Sequence, residues 1–94
     1  MALSKKHRKT LATLFRHPTP PDVKWARVEA LIYALGGDVH EKAGSRVLVD
    51  LDGRTLSVHE PHGAAAMKRA SVRAVRDFLA SLGITPDAID QQRS

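Results

Sequence analysis

At 94 residues, with apolar residues at 43% and charged residues at 27%, the chain has the composition of one soluble globular domain and too little length for two cores. It has no cysteine, which excludes disulfides, thiolate metal sites and a cysteine nucleophile, and it has no apolar run of bilayer-spanning length. The net charge of +5 and a pI of about 10.1 point first to polyanionic partners, because basic groups that neutralise phosphates release counterions.

Residues 1–9, MALSKKHRK, are basic and polar and lead into Leu11, Leu14 and Phe15, which share one helix face; a short helix is expected around 5–16. His17-Pro18 ends it, TPPD forms a linker, and Asp22 has the character of an N-cap for the next helix. In WARVEALIYALGG, Trp25, Val28, Leu31, Ile32 and Leu35 form one apolar stripe, with Gly36-Gly37 as a left-handed stop. Trp25 heads that stripe and is expected in the core, not on the surface as a stacking platform.

DVHEKA, SRVLVDL and RTLSVHE read as three strands. Asp52-Gly53 is a type I′ hairpin signal, since both central residues need positive φ. That turn sets a register in which Leu51 faces Arg54, Val49 faces Leu56, Val47 faces Val58 and Arg46 faces His59. The valine and leucine pairs form the core face, so Arg46, Leu48, Ser57 and His59 belong to the opposite face. A three-residue loop before Arg46, with Gly44 left-handed, buries Val39 and adds His40 and Lys42 to the face of Arg46 and His59. After the loop PHGAAAMK a helix is expected from about 70 to 82, with Ala70, Val72, Val75, Leu79 and Leu82 inward, a cap from Ser71 or the loop, and Arg69, Arg73 and Arg76 as a second stripe. Gly83 ends it, and PDAIDQQRS is expected as a partly ordered tail.

The expected fold is α+β in the order α-α-β-β-β-α, a three-stranded antiparallel sheet with helices on one face and its other face open. A helix ending in Gly36, a strand, Gly44-Ser45, a hairpin, the Pro61-His62 element and a basic helix opening with Ser71-Val72-Arg73 together resemble the HicA toxins. The resemblance spans residues 22–84, leaving 1–21 as an N-terminal helical extension and linker and 85–94 as a tail of a single domain. It implies a fold similar to the double-stranded-RNA-binding domain, metal-independent cleavage of mRNA with no cofactor, and neutralisation by a HicB-like antitoxin in the cytoplasm. The family's catalytic histidine follows Gly-Ser; here that position is Arg46, which stays protonated and serves as a phosphate fork, not as a base.

His59, opposite Arg46, is therefore the first candidate to move the proton, with His62 as the next and the acid and base roles open between them. Ser45, Lys42, Lys68, Arg69, Arg73 and Arg76 are the candidate RNA-binding residues; the arginine stripe is otherwise an ordinary solvated helix face. The spacing of His59 and His62 invites a zinc reading, but no cysteine or carboxylate cluster completes it. Two further readings stay open: a non-catalytic RNA-binding or antitoxin-binding module, and a small interaction domain whose charge is incidental.

Overall fold

The protein was analysed as a computed structural model that describes residues 3–59 and 65–92. Helix α1 (Lys5–Leu14) starts where the Ser4 hydroxyl accepts a 3.4 Å hydrogen bond from the His7 amide, and it buries Leu11 and Leu14 completely. Helix α2 (Trp25–Ala34) buries Trp25, Val28, Leu31 and Ile32, the stripe read from the sequence. Trp25 is a core residue, and its indole N–H finds no acceptor among the described residues, a cost of about 1–3 kcal/mol.

Asp22 does not cap α2. The helix begins after Lys24, with no side-chain cap, because the preceding residues are extended: the Met67 amide donates to the Val23 carbonyl at 2.8 Å, and Lys24 bridges to Ala66. That short pairing also ties the end of the α1–α2 linker to the approach of the last long helix.

Strands β1 (Asp38–Lys42), β2 (Arg46–Leu51) and β3 (Arg54–His59) form an antiparallel sheet in the order β1-β2-β3. The register is the expected one: Leu51 with Arg54, Val49 with Leu56, Val47 with Val58 and Arg46 with His59. Asp52 and Gly53 both have positive φ, 58° and 79°, as a type I′ turn requires. The β1–β2 connection uses three residues, which pairs Val39 with Val49 and Lys42 with Arg46. Gly44 is left-handed there, and so is Ser45, at φ 61°, a region that costs a side-chain-bearing residue about 1–2 kcal/mol. Gly37 is required for a different reason: a Cβ there would lie 2.7 Å from the Asp50 carbonyl oxygen and 2.9 Å from the Ile32 side chain, so β1 enters the sheet only without one.

Helix α3 (Arg69–Ser81) buries Val72, Val75, Phe78 and Leu79. Two details differ from expectation. Ala70 is exposed, and Phe78 takes an inward position; of the two expected sources of a cap it is the loop, through Lys68 and without a side-chain hydrogen bond, and not Ser71, that supplies the N-cap. The segment expected as a loose tail is helical as α4 (Pro86–Gln92): the Thr85 hydroxyl accepts from the Ala88 amide at 3.2 Å, and Ile89 is buried in the packing of α4 on α1. The helices cover one face of the sheet, giving the α+β arrangement, and α1 packs on α2, α3 and α4. None of the described helices is long and apolar enough to cross a membrane.

Candidate nucleic-acid interface

The open face of the sheet is built by the two turns just described. Period-2 alternation sends Val47, Val49 and Val58 under the helices and leaves Arg46, Ser57 and His59 exposed. Because Arg46 and His59 are direct cross-strand partners on one face, their Cβ atoms stand roughly 4.5–5.5 Å apart. Lys42 is the partner of Arg46 on its other side, so a row of Lys42, Arg46 and His59 crosses the sheet at one end. Strand β3 is an edge strand, and α3 lies along it. Together they enclose a shallow cleft of about 230 Å³ lined by Arg46, Ser57 and His59 from the sheet and by Ala70, Ser71 and Ala74 from the helix.

The arrangement offers a guanidinium able to hold a phosphate oxygen pair, an imidazole able to accept or donate a proton, and two hydroxyls. The small side chains of Ala70 and Ala74 keep the helix wall of the cleft low. Ser45, half-buried in its left-handed turn, holds the backbone immediately before Arg46.

The arginine stripe of α3 goes elsewhere. At about 100° per residue, Arg69, Arg73 and Arg76 centre on one flank of the helix, and Ala70, Ser71 and Ala74 on the other, with the two centres about 140° apart. The arginine flank faces the α1–α2 linker and lines a larger cleft of about 930 Å³ together with Arg16, His17 and the prolines that follow. Arg76 is partly buried and pairs with the neighbouring Asp77 at 3.1 Å. Arg69 and Arg73 are exposed.

Of the residues singled out from the sequence, the structure brings together Arg46, His59 and Lys42, with Ser45 adjacent. It separates Arg69, Arg73 and Arg76 from them, and it leaves Lys68 at the N-cap of α3, lining neither cleft. His62, with Pro61, lies outside the described residues. Ser57 and Ser71 also line the hairpin cleft, though neither was among the candidate site residues. Ser57 sits two positions before His59 on the same face and was readable by alternation; Ser71 enters only through tertiary packing. Among the described residues no three histidine, aspartate or glutamate side chains cluster as metal donors would.

No family model matches the chain, and neither the curated proteins nor the solved structures contain a match to it.

Proposed function

We propose that the chain is an RNA-directed protein of the HicA type that binds mRNA on the open face of its sheet and cleaves it without a metal, with an antitoxin partner covering that basic face. The observation that carries this reading is the pairing of Arg46 with His59 on the exposed side of the hairpin. Arg46 grips the scissile phosphate through its two-pronged donor set and offsets the charge that builds on the phosphoryl oxygens. His59 accepts the proton of the neighbouring 2′-hydroxyl as its oxygen bonds to phosphorus. The P–O5′ bond breaks, a 2′,3′-cyclic phosphate forms, and the departing 5′-oxygen takes up a proton from an acid or from water. Lys42 extends the cationic row toward the next phosphate.

The test is cleavage of a labelled single-stranded RNA by the purified chain, with and without chelator. Cleavage is expected in both conditions. His59→Ala should slow it by about 100-fold or more, the usual contribution of a positioned proton-transfer group, while the melting temperature stays within error. Arg46→Lys, which keeps the charge and loses the fork, should fall between wild type and Arg46→Ala. Equal cleavage by wild type and His59→Ala removes the imidazole from the reaction. RNA binding without any cleavage leaves the module reading, in which Arg46 has replaced a catalytic group by a binding one.

A further inference from the structure

The large cleft against α3 does not stop at the linker. A second hollow of about 380 Å³, lined by Lys9, Thr13 and Arg27, adjoins it, and the two share Arg16 and Asp22. The result is an elongated basic groove running from the arginine flank of α3, past the linker, to the outer side of α1 and the start of α2. Arg16, Arg69, Arg73 and Arg76 face its first half; Lys9 and Arg27 face its second. Asp22 is the one carboxylate among the described residues that line either half.

Three features define what this groove takes. Its cations are mostly arginines, whose planar forks match phosphate oxygens in pairs. They are crowded: Arg69, Arg73 and Arg76 stand at i, i+4 and i+7, where like charges work against the helix, and the packing of α1 and its linker brings Arg16 up beside them. An anion relieves that repulsion. Finally, no Phe, Tyr or Trp is among the described residues that line either hollow; His17 is the one ring there and the apolar walls are prolines and Val23, so successive unstacked bases find no row of platforms on which to rest.

We propose that this groove is a binding site for the sugar–phosphate backbone of double-helical nucleic acid, held by charge and without base readout, and distinct from the hairpin cleft. It depends on Arg16, Lys9 and the linker, residues that precede the segment resembling the HicA toxins, and it does not rest on the cleavage reading. Binding to a backbone alone makes the groove indifferent to sequence and strongly sensitive to salt.

The test uses the full chain and fluorescence anisotropy with three nucleic-acid probes of equal length, an RNA duplex, a DNA duplex and a single strand of RNA, and with an acidic oligopeptide as a fourth probe. The DNA duplex has no 2′-hydroxyl and is inert to the proposed cleavage, so it reports binding alone. Changes in the groove should weaken both duplexes more than the single strand, which the sheet face also binds under the proposed function. Arg73→Glu should weaken duplex binding by about tenfold, while Arg54→Glu, the same charge change at the hairpin tip, should alter it by less than about threefold. The combined Arg16→Glu, Arg27→Glu, Arg73→Glu chain should flatten the salt dependence of duplex binding by about 2–3 in log–log slope, near 0.9 for each phosphate left without its cation. All four positions are exposed, and circular dichroism is the check that each variant is folded before its binding is compared.

Equal effects of Arg73→Glu and Arg54→Glu would reduce the groove to diffuse charge and overturn the proposal. So would duplex binding that Arg73→Glu weakens no more than single-strand binding, or an unchanged slope in the combined variant. Loss of binding to an acidic oligopeptide with duplex binding intact would assign the groove to a protein partner and overturn it as well. A chain in which His59→Ala leaves cleavage untouched but the combined variant loses duplex binding refutes the hairpin chemistry and keeps the groove.

Discussion

The two basic regions of this molecule are assembled by opposite routes. The Arg46–His59 pair is local: an Asp-Gly turn and a Gly-Ser turn set the registers, the pair follows within fourteen residues of chain, and packing adds only the α3 wall of its cleft. The arginine groove is not: it joins α1, the linker, the start of α2 and α3, segments far apart in sequence, and exists only while α1 is packed on α3. A site made by turns survives changes in the distant core, whereas a site made by packing disappears with the packing. Charge alone does not distinguish them; the way each is held does.

That contrast can be broken most severely from the core side. Leu14→Ala empties a fully buried position on α1 and should cost about 2–5 kcal/mol by chemical denaturation. Under conditions where the variant stays folded, duplex binding should suffer more than RNA cleavage, because the emptied position lies on α1, which helps to build the groove and not the hairpin. Equal loss of both would mean that the two regions fold as one unit.

A smaller effect attacks the other side. Gly53→Ala places a side chain at φ 79° in the turn and should destabilise the protein by about 1–2 kcal/mol. Cleavage at fixed fraction folded should fall, since the alignment of Arg46 with His59 depends on that turn, while binding of a DNA duplex should hold. The smallest change sharpens the comparison. Asp77→Asn releases Arg76 from a highly exposed partner, and thermal stability should move by less than about 0.5 kcal/mol. Duplex affinity should rise by up to about threefold, with cleavage unaffected.

The same division explains what could be read without coordinates. Turn chemistry and alternation are local rules, and they placed every cross-strand partner of β2 and β3, together with the core stripe of α2. The helix α4 was also within reach, since Thr85-Pro86 is a capping signal. It lacked only periodicity, because Ile89 is its single buried apolar anchor. The start of α2 was not within reach, since the extended run at Val23–Lys24 is imposed by pairing with residues 66 and 67. Nor was the fate of the arginine stripe. Spacing puts Arg69, Arg73 and Arg76 on one flank of α3, but only packing decides whether that flank meets the hairpin or the linker.

Trp25 is the chain's sole indole; it opens α2 beside the groove, yet its ring is buried in the aliphatic interior and lines none of the basic hollows. Its ultraviolet emission is therefore an intrinsic gauge of the interior: blue-shifted while the aliphatic shell stays closed, and red-shifted once water enters. Titration with a polyanion should leave the wavelength of that emission where it is, whereas loss of the native packing should move it. A single unlabelled optical reading thus tells an impaired surface from a collapsing one in every variant named above.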